Sequence, residues 1–169
     1  MIWRRIKVPG SISLAELHYV IQTIYDWDDE NLHQFHIYGK DYGINYYGGI
    51  GYADNVHEVY LDDFTFDAGD KFSYEYNFFE HLMHDIRVEH IDESTQLIDT
   101  AQCIKGSGMP GVDKSDEMEL IVKLLEMIGN KRSSATRSDM IRLIEKIDSI
   151  KFNRDLINKK LNELKSEHL

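Results

Sequence analysis

Between residues 72 and 78, large aromatic side chains occupy every second position: Phe72, Tyr74, Tyr76 and Phe78, with Ser73, Glu75 and Asn77 between them. A period of two marks a strand, because successive side chains point to opposite faces. Four aromatics on one face need cover, so this strand belongs to a sheet with one buried side. Residues 82–90 alternate as well, with Leu82, His84, Ile86 and Val88 on one face. Paired strands share a face, which sets the parity of a hairpin between the two segments. A three-residue loop over residues 79–81 then puts Phe78 opposite Leu82, Tyr76 opposite His84, Tyr74 opposite Ile86 and Phe72 opposite Val88.

Other segments join this hairpin. Residues 2–8 alternate and read as a strand ended by Pro9-Gly10. Ser13-Leu14-Ala15-Glu16 has the spacing of a capping box, with Ile12 and Leu17 at staple positions around it. Leu14, Leu17, His18, Ile21, Ile24 and Tyr25 recur at helical spacing, giving that helix one stripe for a sheet to cover. The acidic run Asp26, Asp28, Asp29 and Glu30 falls at its end, where negative charge opposes the helix dipole, and is expected as a solvated turn. A strand over residues 32–38 follows, then a turn at 39–43 and a long loop over 44–58. A weaker strand is expected at 96–104. Beyond residue 112 the pattern is helical: Met118, Ile121, Val122, Leu125 and Ile128 stripe one helix, Met140, Ile141, Ile144 and Ile147 a second, and Leu156, Ile157, Leu161 and Leu164 a third starting near Asn153. Residues 131–138 are a polar connector. The expected fold is α+β, a mostly antiparallel sheet on one N-terminal helix, with a core over residues 1–112 and a helical extension over 113–169.

Net charge is −11, but unevenly spread. Residues 131–169 hold 10 Lys/Arg against 6 Asp/Glu, giving +4, and residues 1–130 hold 9 against 24, giving −15. The acidic part repels a phosphate backbone, whereas the basic tail, with Lys131, Arg132, Arg137 and Arg142, could meet one. A single cysteine, Cys103, closes no internal disulfide and suits a reducing compartment. No signal-peptide pattern follows Met1, and no apolar run reaches the ~18 residues that span a bilayer. These features point to a cytoplasmic protein without a membrane segment.

Several motifs together resemble the plasmid pRiA4b ORF-3-like proteins. They are Ile2-Trp3-Arg4-Arg5-Ile6-Lys7-Val8-Pro9, Leu14-x-x-Leu17-His18-x-x-Ile21-Gln22, Trp27, Leu32-His33-Gln34-Phe35, Gly69-Asp70-Lys71-Phe72-x-Tyr74-x-Tyr76, His84-Asp85-Ile86-x-Val88-Glu89 and Cys103. They fall in family order over roughly the first 105 residues, and their combination is far more specific than any one of them. The resemblance implies an α+β fold and brings no established activity. The chain departs from the family at Tyr76-Asn77-Phe78-Phe79-Glu80-His81-Leu82-Met83-His84, where the family reads Tyr-Asp-Phe-Gly-Asp-x-Trp-x-His.

Three functional readings stand. The leading one is a small intracellular binding or interaction module with an unidentified protein partner. A second is a metal-dependent or Cys/His enzyme built on His33, His84 and Cys103, with Tyr76 completing a pocket; imidazole and thiolate there would suit zinc, although the motifs themselves call for no cofactor. A third is nucleic-acid binding through the basic helical tail. His81-x-x-His84 is discounted as a metal motif, because an odd offset in a strand sends the rings to opposite faces. Gly106 to Gly111 formally fits a phosphate-binding G-x-G-x-x-G, but no second strand follows to complete a βαβ unit, so it reads as a connector.

Overall fold

The computed structural model describes residues 2–92, 98–108, 110, 114–129, 136–149 and 151–168. The chain forms two compact units, one of Met1–Ile6 with Cys103–Asn158, the other of Lys7–Gln102 with Lys159–Leu169. It has the expected α+β class. Among the described residues six strands divide into two sheets, a four-stranded one of order β3-β2-β4-β5 and a pair, β1 with β6.

The four-stranded sheet comprises β2 (His33–Ile37), β3 (Lys40–Tyr42), β4 (Lys71–Tyr76) and β5 (Leu82–Arg87), all antiparallel to their neighbours. The hairpin keeps the expected parity and changes register by two. Tyr76 pairs with Leu82, Tyr74 with His84 and Phe72 with Ile86. The loop is therefore five residues long, 77–81, rather than three. Asn77 and His81 take left-handed backbone, with φ of 54° and 51°. The amides of Glu80 and His81 both donate to the Asn77 carbonyl, while Asn77 N–H donates to Leu32 O. This wider turn releases Phe78 and Phe79 from the ladder. A shift of two preserves the facing of the aromatics; a shift of one would have brought Asp85 and Arg87 among them.

The segment expected as a turn at 39–43 is in fact β3, joined to β2 by a two-residue connection. Tyr38 and Gly39 both have positive φ, 49° and 79°, as the primed hairpin turns require. A tyrosine in the first of these positions conceals a turn that Asn-Gly would have announced.

Helix α1 (Leu14–Tyr25) begins with the capping box read from sequence: Glu16 N–H donates to Ser13 Oγ at 3.1 Å, and Ser13 N–H to Glu16 Oε2 at 2.8 Å. Two further first-turn amides, of Leu14 and Ala15, donate to the carbonyls of Val59 and Val56. The helix buries Leu14, Leu17, Val20, Ile21 and Ile24, and with them two polar residues, His18 and Gln22. Its side chains meet the sheet face that carries His33, Phe35, Tyr74 and Tyr76.

In the other unit, β1 (Trp3–Lys7) pairs with β6 (Gln102–Ser107). The strand expected at 96–104 thus lies later, and residues 93–97 are outside the described set. Gly106 sits within β6, where a Cβ would fall 2.6 Å from the Phe152 ring. Close packing therefore accounts for this glycine; the remainder of the glycine-rich motif lies mostly outside the described residues. Helices α2 (Lys114–Gly129) and α3 (Arg137–Ser149) pack on each other. Helix α3 starts earlier than expected because Thr136 and Asp139 exchange capping hydrogen bonds. Helix α4 (Arg154–His168) starts as expected, with Asn153 Oδ1 accepting from Leu156 N–H at 3.0 Å. Arg137 and Arg142 lie on α3; Lys131 and Arg132 are outside the described residues. No helix among the described residues is long and apolar enough to cross a membrane.

Phe35 is completely buried against Phe72 and Tyr74, whereas Tyr47 is fully exposed. Phe35→Ala should therefore cost about 3–5 kcal/mol of unfolding free energy, and Tyr47→Ala no more than about 0.5 kcal/mol. Urea denaturation followed by circular dichroism distinguishes the two.

Candidate functional site

Helix α1 and strand β4 bring Tyr74, His18 and Gln22 together inside the sheet unit. The Tyr74 hydroxyl accepts from Gln22 Nε2 at 2.9 Å and lies 2.9 Å from His18 Nδ1. On the far side of its ring, His18 Nε2 is 2.8 Å from Asp29 Oδ1. Asp29 N–H donates to Gln22 Oε1 at 3.1 Å, so helix and turn are locked by the same side chains. His18 and Tyr74 are both wholly buried, whereas the Asp29 side chain is 28% exposed. The network thus runs from the core to the surface. Burial raises the Tyr74 pKa, so the hydroxyl keeps its proton.

His33 stacks on His18, with ring centroids 3.5 Å apart and planes inclined by 16°. Burial, helped by the neighbouring His18, pushes the His33 pKa down to about 2 and keeps the ring neutral. Its Nε2 has only a long contact, 3.5 Å, from Ile44 N–H, and its Nδ1 is buried without a hydrogen-bond partner. One ligating atom from each of His18, Asp29 and His33 lies within 4.8 Å of the others.

The four residues singled out by sequence fall in different places. His33 is at the centre of this cluster. Tyr76, its cross-strand partner, is buried beside it and donates its hydroxyl hydrogen toward Asp28 Oδ1 at 3.4 Å. His84 pairs with Tyr74 on β5 but turns into an aromatic group, with Trp27 edge-on at 5.2 Å and Tyr25 at 4.9 Å. Its Nδ1 donates to Leu82 O at 3.1 Å, and burial lowers its pKa. Cys103 belongs to the other unit, on β6. There its backbone amide and carbonyl are both held by the Asn158 side chain, at 2.7 and 3.0 Å, and burial raises the thiol pKa. Among the described residues, the cluster of ligating atoms contains His33 but neither His84 nor Cys103.

The acidic turn differs from its expected solvated form. Asp29, with φ of 56°, turns its carboxylate inward to His18; Asp28 receives Tyr76, and Asp26 pairs with Lys160. Sequence reasoning passed over His18 and Gln22 by counting the first within an apolar stripe. Their signal was present: polar residues at i and i+4 on the buried face of one helix each need a hydrogen-bond partner, and at that spacing they can reach the same one.

The fold and its buried polar cluster define the class: an α+β protein in which one capped helix covers a four-stranded antiparallel sheet. The chain belongs to the plasmid pRiA4b ORF-3-like protein family, whose family model matches residues 1–160. Among solved structures it is similar to a protein of unknown function from Methanosarcina mazei Go1. That likeness has a TM-score of 0.59 and 21% identity, and covers 91% of this chain and 88% of the other. At that identity the likeness concerns the fold. Comparison with the curated proteins finds no match.

His33 and His84 are held uncharged in the fold, below the ordinary histidine value of 6.5. Unfolding restores that value, so below it the unfolded chain takes up protons that the folded chain refuses. Stability should be complete above about pH 7 and fall as the pH drops. Urea midpoints measured across this range should fall less steeply for His84→Gln than for the parent chain.

Proposed function

We propose that the chain is a binding protein whose ligand is a divalent transition-metal ion held by His18, Asp29 and His33. The observation that carries this reading is the convergence of two imidazoles and one carboxylate within 4.8 Å in a largely buried setting. Donors sharing a tetrahedral zinc ion lie about 3.4 Å apart, given bonds of about 2.0–2.2 Å. His18 Nε2 and Asp29 Oδ1 are already closer than that, and bringing His33 onto the ion breaks no strong hydrogen bond, since Nε2 has one long contact and Nδ1 has none. Two imidazoles with a carboxylate suit zinc and its first-row neighbours.

The surroundings support the same reading. Tyr74 holds the Nδ1 side of His18 and leaves Nε2 toward Asp29, the kind of outer contact that orients a ligating imidazole. Gln22 holds Tyr74 and the Asp29 backbone together. The partly exposed carboxylate supplies an entry path.

Equilibrium dialysis of the full chain against zinc, followed by metal analysis, should find about one ion per chain. Zinc at about 100 times its dissociation constant should stabilise the fold by about 2.7 kcal/mol. Asp29→Asn keeps the shape of the turn and should weaken binding at least about tenfold; His33→Gln should do the same. A parent chain that takes up no zinc, or folded variants that hold it as tightly as the parent, would overturn the proposal.

A further inference from the structure

The outward side of the His18–Asp29–His33 cluster is covered by the loop over residues 43–52. Its two ends are tied together: Tyr52 N–H donates to Asn45 Oδ1 at 2.6 Å, and Asn45 Nδ2 donates to Tyr52 O at 3.3 Å. The loop is also fastened to the sheet, where the Tyr52 hydroxyl donates to His33 O at 2.9 Å. Within it, Tyr46 O accepts from Gly49 N–H at 3.0 Å, forming a tight turn at its tip. The adjacent tyrosines go opposite ways. Tyr47 is fully exposed, while Tyr46 lies edge-on to His33, with ring centroids 6.2 Å apart and planes at 80°. The Tyr46 hydroxyl reaches to 3.5 Å from Asp29 Oδ2.

We propose that Tyr46 is the fourth donor of the site, so that the ion is enclosed by two imidazoles, one carboxylate and one phenolate. The inference rests on the metal-binding reading above. The Tyr46 oxygen lies 3.5 Å from Oδ2 of Asp29, the carboxylate oxygen turned away from His18, so an ion bound at that carboxylate is within reach of the phenol. Tyr46 is also partly exposed where His18 and His33 are buried, so it approaches the cluster from the solvent side. As the oxygen–metal bond forms, the phenol O–H bond breaks and its proton passes to solvent. Nothing is oxidised or reduced.

Tyr74 is not an alternative donor, because its hydroxyl lies at Nδ1 of His18, across the ring from Asp29. A shell filled by protein atoms has no open position for a substrate, as in structural rather than catalytic zinc sites. The site therefore holds its ion, and in doing so pins the loop through Tyr46. A phenolate donor also makes it fit for ferric iron, a harder ion than zinc.

The test uses the full chain loaded with zinc and, separately, with ferric iron supplied as its citrate chelate, with bound metal measured in each case. The parent chain should show a phenolate-to-iron charge-transfer band in the visible. Tyr46→Phe should lose the band and bind zinc at least about tenfold more weakly, as expected for loss of a donor. Tyr47→Phe, at a fully exposed ring, should keep the band. If iron is not retained, the ultraviolet difference signal of tyrosinate on zinc addition decides in the same way. A band or tyrosinate signal that survives in Tyr46→Phe, or its absence from a parent chain that holds metal, overturns the fourth donor and leaves the three-residue site standing. A parent chain that takes up no zinc overturns both.

Discussion

The hydroxyl of Tyr74 sits at the centre of the sheet unit with no access to water. A buried hydroxyl without a partner costs about 1–3 kcal/mol, a large share of the stability of a small domain. Both of its partners come from α1, since Gln22 donates to it and His18 stands beside it. Because those residues are one helical turn apart, the helix can satisfy the hydroxyl in only one rotation and one translation over the sheet. Apolar contacts such as those of Leu17 and Ile21 tolerate sliding far better. The polar contact fixes the position that the hydrophobic contacts only favour.

The same constraint passes into the turn after α1. The helix ends at Asp26, in left-handed backbone, and the chain reverses so that Asp29 can reach back to His18 and Gln22. Asp26 and Asp29 both have positive φ, which carries a cost for residues other than glycine, though aspartate tolerates it better than most. Hydrogen bonds to His18 and Gln22 hold Asp29 in place. At Asp26, an ion pair with Lys160, from the end of the chain that joins this unit, offsets unfavourable charge at the helix C-terminus. Acidic residues that look merely soluble in one dimension are thus individually assigned in three.

Elements whose instructions are local were legible in the sequence. Ser13 and Glu16 cap α1 as their spacing requires, and Asn153 starts α4. The alternation of Phe72, Tyr74 and Tyr76 against Leu82, His84 and Ile86 correctly fixed which faces meet. It could not fix the loop length, because registers differing by two bury the same side chains and are separated only by turn energetics. Asn77 and His81 decided that in their backbone conformations. The site was half legible. His33 could be named as an inward-facing histidine on a strand, but its companions come from a helix and a turn, and no spacing encodes a meeting of His18, Asp29 and His33. Cys103 looked equivalent to His33 by chemistry. It instead serves β6, where Asn158 takes both its backbone hydrogen bonds as a neighbouring strand would.

The arrangement of His18 and His33 is hard to explain as packing alone. A phenylalanine in place of His33 would stack on His18 and fill the same space without leaving a buried nitrogen unpaired, at a saving of about 1–3 kcal/mol. His18 differs, because both of its nitrogens are engaged. The asymmetry between the two rings matters: one is fixed by hydrogen bonds and the other is held almost wholly by stacking and burial. In a metal site this is a workable division. A fixed imidazole and a carboxylate would set where the ion sits, and a ring without strong hydrogen bonds would give up only stacking contacts to reach it. In the site proposed above, metal coordination would supply the missing partner for His33, and the free energy of that bond would offset what the metal-free fold forgoes.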